Sequence, residues 1–174
     1  LSIYNCTFKN IVSNSTNGGG AGFWIENAEN CNLKFEKCYF LNSSVESGTN
    51  QGYGGGLQFG INETNYKASV EIKNCVFLGN SAPKGGGALS WEVTYDISIE
   101  DTIFEENSAS ESAGAIQFTQ IAVPESYWKS QTISIKKCNF TNNQGKTVNA
   151  IFIPRCKDAI IEGCEFTDNR NDGH

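Results

Sequence analysis

The stretch NCVFLGNSAPKGGGALSW, residues 74–91, holds the two patterns that decide the fold. Its first part alternates apolar and polar residues with period two, which indicates a short β-strand with one buried face. Its second part places Gly85, Gly86 and Gly87 directly before a second apolar and aromatic run. Glycine fits a corner where a tight turn demands positive φ or where neighbouring backbones approach closely. The stretch therefore predicts a glycine-lined corner at which a connection enters a strand.

Both patterns recur along the chain. The first pattern reads apolar, any, apolar, any two, Cys, any, Phe, and its copies begin at Leu1, Leu33, Val70, Ile97, Ile133 and Ala159. Each copy breaks phase once, which predicts two short strands joined at a bend. The second pattern reads small, small, apolar, any, aromatic, and predicts a third strand between copies. Its versions begin at Gly20, Gly55, Gly87, Gly114 and Asn149.

These repeats predict a solenoid. Three short strands of fixed pattern, joined by polar connections of variable length, make one coil of a parallel β-solenoid. We expect an all-β, right-handed parallel β-helix of about six coils of three short strands, the hand following the preference of parallel crossovers. The chain has no Met, and we expect residues 1–174 to be a single β-helix segment of a longer chain.

Charge and hydropathy exclude two kinds of partner. The net charge is −6, with 13 Lys and Arg spread through 174 residues, so the basic stripe that nucleic acid requires is missing. No run approaches the roughly 20 apolar residues that span a bilayer. We therefore expect no nucleic-acid binding and no membrane span in this segment.

Cysteine recurs at one position of the first pattern. Five of the seven cysteines occupy it, with threonine in the remaining copy: Cys6, Cys38, Cys75, Thr102, Cys138 and Cys164. Stacked coils would place these side chains in an interior ladder, either as buried thiols or as disulfides between adjacent coils. Cys31 and Cys156 lie in connections. Without a Cys-x-x-Cys pair or a Cys/His cluster, we expect no structural zinc and no cofactor.

Asparagine recurs three residues after phenylalanine. Asn tolerates turn geometry, and its amide can bond the neighbouring coil. The pattern predicts a hydrogen-bonded ladder, at least in part, of Asn80, Asn107, Asn143 and Asn169.

Together these motifs carry a family resemblance. They stand as Gly86-Gly87-Ala88-Leu89 with Phe77-Leu78-Gly79-Asn80, as Ala113-Gly114-Ala115-Ile116 with Phe104-Glu105-Glu106-Asn107, and as Phe140 to Asn143 and Phe166 to Asn169. They resemble the short repeat of the chlamydial polymorphic outer membrane proteins. The first two copies, Phe8-Lys9-Asn10 and Phe40-Leu41-Asn42, are one residue short of it. The resemblance implies a right-handed, pectin-lyase-like parallel β-helix on a cell surface, used for adhesion and without catalytic residues. Similar repeats are found in large surface or secreted proteins of protists.

Candidate surface sites fall in two groups. Five Asn-x-Ser/Thr sequons, which suit a secreted glycoprotein, are glycosylation candidates: Asn5, Asn14, Asn42, Asn62 and Asn139. Solenoids accept insertions in their loops, which often mark the working face. The excursions at residues 60–68 and 119–130 carry Tyr66, Tyr127 and Trp128, which we expect either to bind proteins or surface glycans or to fold back over the coil edge.

The carboxylates offer little support for catalysis. Parallel β-helices include polysaccharide lyases and hydrolases, which need converging carboxylates or a metal cluster. Asp96 and Asp158 share a repeat position but lie two coils apart, and the other acidic residues read as a solvated face. We expect a non-catalytic, extracellular or cell-surface protein with a structural or adhesive role. A polysaccharide-active enzyme and an assembly subunit joined through its end coils remain alternatives.

Overall fold

The computed structural model describes residues 1–14, 22–26, 32–46, 52–60, 68–92, 95–119 and 131–171. These parts of the chain form short strands, turns and no helix. The strands assemble into four sheets in which every pair is parallel. We call one passage of the chain through the sheets a coil, and the residues at one repeat position in successive coils a row.

Strands follow one another in the same order in each coil. The first coil holds β1 (Ser2–Tyr4), β2 (Thr7–Lys9), β3 (Val12–Ser13) and β4 (Phe23–Glu26), and the second β5 (Asn32–Glu36), β6 (Tyr39–Leu41), β7 (Ser44–Val45) and β8 (Leu57–Gly60). The third holds β9 (Ala68–Lys73), β10 (Val76–Leu78), β11 (Ser81–Ala82) and β12 (Leu89–Glu92). The fourth holds β13 (Tyr95–Glu100), β14 (Ile103–Glu105), β15 (Ser108–Ala109) and β16 (Ile116–Thr119). The fifth holds β17 (Thr132–Lys136), β18 (Asn139–Thr141), β19 (Gln144–Gly145) and β20 (Ile151–Phe152), and the last β21 (Asp158–Glu162) and β22 (Glu165–Thr167).

Each strand pairs with its equivalents in the coils before and after it. The first sheet has the order β1-β5-β9-β13-β17-β21 and the second β2-β6-β10-β14-β18-β22. The third has the order β3-β7-β11-β15-β19 and the fourth β4-β8-β12-β16-β20. The all-β parallel solenoid predicted from the repeats is confirmed.

The number of strands in a coil differs from the prediction. We expected three strands, and the structure has four, because a two-residue strand such as β11 follows the corner at Asn80. Two residues are too few to display an alternating hydrophobic pattern, so periodicity carries no sign of this strand.

The first two copies of the repeat keep the register of the others. Asn42 occupies the corner position of Gly79, with φ of 49° against 65°. The next residue, Ser43, stands where the third coil has Asn80, whose Oδ1 accepts a hydrogen bond from the Ser43 N–H at 3.1 Å. Ile11 holds the same position in the first coil. The first two copies are therefore not one residue short of the repeat. They have Ile11 and Ser43 at the position that Asn80 holds in the third coil.

Phenylalanine rings form a continuous stack inside the solenoid. Neighbouring rings lie 4.6 to 4.9 Å apart between centroids and are tilted by at most 9°. The stack contains Phe8, Phe40, Phe77, Phe104, Phe140 and Phe166. The four middle rings are fully buried. Burial of these rings, with the aliphatic rows beside them, supplies the main cohesion between coils.

Two corners in each coil place a residue in the left-handed region. The first corner carries Asn5, Lys37, Asn74, Asp101, Lys137 and Gly163, and the second Asn10, Asn42, Gly79, Glu106, Asn142 and Asp168. Gly, Asn and Asp occupy this region at low cost, whereas Lys and Glu pay a steric penalty. The corners with Lys or Glu therefore store local strain.

Replacing Glu106 with Asn should raise the free energy of unfolding by about 0.5 to 1 kcal/mol, because Asn tolerates the φ of 54° that Glu106 adopts. Urea denaturation followed by circular dichroism measures the change. Glu105→Asn in β14 is the matched control, and it should give no gain because Asn is a poor strand former. Equal effects of the two substitutions would show that the gain does not come from the corner.

Candidate functional site

The predicted Cys/Thr positions lie in one row, at the corner between the first and second sheets. The middle members are buried, namely Cys38, Cys75, Thr102 and Cys138, and the end members Cys6 and Cys164 are half-buried. The cysteines in the described part of the chain, which include Cys156, are free thiols. Cys31 lies outside the described residues.

This row is held by hydrogen bonds to the backbone. The Cys75 thiol donates to the Lys73 carbonyl at 3.3 Å, and its sulfur accepts from the Cys38 N–H at 3.4 Å. Thr102 repeats both contacts, because its hydroxyl donates to the Glu100 carbonyl at 2.9 Å and accepts from the Cys75 N–H at 3.3 Å. Thr replaces Cys here because both side chains carry a donor and an acceptor at the γ position.

Alkaline pH should weaken the fold through these thiols. Burial raises the pKa of Cys75 and Cys138 from 9.0 to about 12. Because the thiol pKa is higher in the folded chain than in the unfolded chain, the folded chain favours the neutral thiol. The stability of the fold is therefore unaffected by these thiols below pH 9 and falls as the pH rises from 9 to 12. We expect the free energy of unfolding to fall by about 1 kcal/mol per thiol between pH 9 and pH 10, because the unfolded-state thiol is only half ionised at pH 9.

Urea titrations at several pH values measure this slope. The control is the double variant Cys75→Thr with Cys138→Thr, which copies Thr102 and has no thiol to ionise at these positions. Its stability should depend less steeply on pH above 9. Identical slopes in the two proteins would contradict the assignment of this pH dependence to Cys75 and Cys138.

A row of alternating charge crosses the outer face of the first sheet. Its members are Glu36, Lys73, Glu100, Lys136 and Glu162. Lys73 Nζ lies 2.7 Å from a Glu100 oxygen, and Lys136 Nζ lies 2.9 Å from a Glu162 oxygen. The hydrogen bond from Lys73 holds the pKa of Glu100 below its ordinary value, and Lys136 does the same for Glu162. These carboxylates are therefore ionised and paired rather than poised as general acids.

The sequence interpretation missed this row. It assigned Glu100 to a solvated acidic face, whereas the structure pairs it with a lysine from the neighbouring coil. The available signal was the change of sign, from coil to coil, at the residue two positions before the Cys/Thr row.

Asp96 and Asp158 do not converge. Asp96 Oδ1 accepts hydrogen bonds from both the N–H and the hydroxyl of Thr132, each at 2.8 Å. Thr132 pairs in turn with Asp158, so a full coil separates the two carboxylates. Within the described residues, no group of three or more His, Cys, Asp or Glu side chains is placed to hold a metal ion.

A shallow groove of about 340 Å³, lined by both polar and apolar residues, crosses β9, β13 and β17 on the same outer face. Hydroxyls of Ser69, Ser98 and Ser134 line it together with the carboxylates of Glu71 and Asp96. The groove therefore presents both donors and acceptors to a hydroxyl-rich ligand.

Four of the five candidate glycosylation residues have exposed side chains. These are Asn5, Asn14, Asn42 and Asn139. Asn5 and Asn42 lie at left-handed corners, with φ of 53° and 49°. Asn62 lies outside the described residues, as do the binding-loop candidates Tyr66, Tyr127 and Trp128.

Comparison with known protein families matched residues 74–90 to the Chlamydia polymorphic membrane protein (Chlamydia_PMP) repeat. The match begins where β9 ends and reaches into β12, so it contains the Phe-x-x-Asn corner and the glycine corner of the third coil. No curated protein and no solved structure matched the chain. Over the described ranges, no helix is long and apolar enough to cross a membrane. The match supports polymorphic-membrane-protein-type repeats in this chain and suggests a cell-surface location.

Proposed function

We propose that the chain is a non-catalytic segment of an extracellular or cell-surface β-solenoid, which acts as a stiff adhesive spacer and displays recognition loops. The observation that carries the proposal is that residues of the same row contact one another from coil to coil. The contacts are stacked Phe rings, hydrogen bonds of thiols and asparagines, and ion pairs. The interior residues and the charged row therefore hold neighbouring coils together. The variable connections are then the surface free to evolve binding.

Two features favour adhesion to proteins or surface glycans. The connections at residues 60–68 and 119–130 carry Tyr66, Tyr127 and Trp128, and aromatic side chains stack on sugars and anchor protein interfaces. The groove across β9, β13 and β17 adds hydroxyls and carboxylates that suit sugar hydroxyls. The exposed sequons and the repeat match favour a secreted or surface glycoprotein.

Binding to immobilised glycans tests the adhesive role. Beads coated with mannan, chitin or mucin are incubated with the chain, and the retained fraction is measured. We expect retention on at least one surface and its loss in the double variant Tyr127→Ala with Trp128→Ala. Tyr39→Ala is the control, because Tyr39 is an exposed tyrosine on the outer face of the second sheet. No retention on any surface, or an equal loss in the control, would count against the proposal.

A second assay distinguishes adhesion from polysaccharide cleavage. The chain is incubated with polygalacturonate and alginate, and both unsaturated uronate absorbance and new reducing ends are followed. We expect neither product, because the carboxylates described on the first sheet are paired with lysines or separated by a coil. Product formation would replace the adhesive proposal with the enzyme reading.

A further inference from the structure

The second sheet carries an apolar patch on its outer face. Except for Glu105, the outward side chains of β6, β10 and β14 are aliphatic or aromatic, namely Tyr39, Leu41, Val76, Leu78 and Ile103. Tyr39 and Ile103 are 43% and 39% exposed, and the other three are half-buried. Each of these strands pairs with a neighbour on both sides, so the patch belongs to the middle of the solenoid.

The outer face of the first sheet is built differently in the same coils. Its outward rows there hold charged and hydroxyl side chains, such as Lys73, Asp96 and Ser98. Contiguous apolar surface on the outside of a protein marks a place where something else makes contact. The apolar patch is therefore a surface that needs a covering group.

A glycosylation sequon lies in the same row as the apolar patch. Asn139, Phe140 and Thr141 form β18, and Asn139 pairs with Ile103 of the preceding coil. Phe140 points inward and is fully buried in the ring stack, so the side chains of Asn139 and Thr141 point outward. The Asn139 side chain is exposed. A glycan on its Nδ2 atom would begin one strand spacing, about 4.8 Å, from the Ile103 strand.

The row gives such a glycan a preferred direction. Toward the third coil, Ile103 is followed by Val76 and then by Tyr39, which lies three strand spacings, about 14 Å, from Asn139. Toward the last coil, the neighbour of Asn139 is the carboxylate of Glu165. Sugar rings have faces made of C–H groups, and these faces pack on aliphatic and aromatic side chains. The glycan therefore buries apolar surface by extending over Ile103 and Val76.

Asn14 provides a contrasting sequon. It follows β3 in the third sheet, and the pairing of Ser13 with Val45 sets it beside Glu46 of the next coil. Both Asn14 and Glu46 are exposed and polar. A glycan on Asn14 would therefore extend from a different sheet and a polar surface.

We propose that an N-linked glycan on Asn139 covers the apolar patch of the second sheet. This inference rests on the proposed role as a secreted or surface glycoprotein. It assigns the glycan a second role, which is to keep the apolar patch out of water.

The modification is a substitution at the anomeric carbon of the first sugar. The donor is an oligosaccharide carried on a polyprenyl diphosphate lipid. The Asn139 Nδ2 atom bonds to the anomeric carbon and loses a proton, while the bond from that carbon to the diphosphate oxygen breaks and the lipid diphosphate leaves. Thr141 supplies the hydroxyl that the sequon requires two residues after asparagine.

Peptide mass spectrometry of the chain secreted from insect cells measures the occupancy of each sequon. We expect Asn139 to carry a glycan in more than about half of the molecules. Occupied sequons elsewhere with a bare Asn139 would overturn this inference and leave the glycoprotein role standing. Bare asparagines at every sequon would overturn both.

Dye binding tests whether the glycan covers the patch. Anilinonaphthalene sulfonate fluoresces on exposed apolar surface, and we expect secreted Asn139→Gln to raise its fluorescence about twofold or more over wild type. Asn14→Gln is the matched control and should behave like wild type. Adding Ile103→Ser to Asn139→Gln should lower the signal again, because it removes apolar surface from the patch.

Circular dichroism checks that each variant is folded. A wild-type signal in Asn139→Gln, or equal increases in Asn139→Gln and Asn14→Gln, would contradict the covering of the patch by the Asn139 glycan.

Discussion

Replacing Gly87 with alanine is expected to lower the free energy of unfolding by about 3 kcal/mol or more. A Cβ at this position would overlap the carbonyl oxygens of Ser108 and Gly114, and it would lie 2.6 Å from the Ser108 nitrogen. All three atoms belong to the backbone of the next coil. They cannot rotate away as a side chain could, so relief requires the coils to separate locally. Urea denaturation measures the loss.

Gly163→Asn is the matched control for this prediction. Gly163 has a φ of 63°, but the nearest atom to an added Cβ is Lys137 Cγ at 3.7 Å. Asn5 and Asn74 occupy the same corner in other coils. We expect a change within about 0.5 kcal/mol. If the two substitutions cost the same, close approach between coils would not be the reason for glycine at position 87.

The sequence was sufficient for the solenoid because each row repeats one type of side chain. Phe77 and Phe104, for example, recur at the same distance from the Cys/Thr row, and the structure stacks their rings at 4.9 Å. The Asn ladder was predictable for the same reason and is confirmed. Asn80 bonds Asn107, Asn107 bonds Asn143, and Asn143 bonds Asn169.

Features at repeat positions where the residue type changes from coil to coil were not predictable in this way. The two-residue strands have no periodicity, and the left-handed corner accepts Lys137 as well as Asn74, so composition does not mark it. The charge row was hidden because its members alternate in sign instead of repeating. The connections that carry the candidate binding residues follow no repeat pattern at all, so Tyr127 and Trp128 remain predictions from composition and position.

Replacing Asn107 with alanine is expected to lower the free energy of unfolding by about 3 kcal/mol. The buried Asn107 side chain accepts from the N–H and the amide of Asn80, each at 3.0 Å. It donates to the Phe77 carbonyl at 2.9 Å and to Asn143 Oδ1 at 3.0 Å. Alanine leaves the Asn80 N–H and the Phe77 carbonyl buried without these partners, and each such group costs about 1 to 3 kcal/mol.

Asn107→Ser provides the graded comparison, because the chain already uses serine in this row. Ser43 is fully buried, accepts from the Ile11 N–H at 3.4 Å and donates to the Leu41 carbonyl at 3.2 Å. Serine at position 107 should therefore keep the backbone N–H of Asn80 paired while losing the bond to Asn143. We expect its destabilisation, measured by urea denaturation, to be about half that of alanine. Equal losses for serine and alanine would mean that the ladder acts through the amide chain from coil to coil rather than through capping of the backbone at each corner.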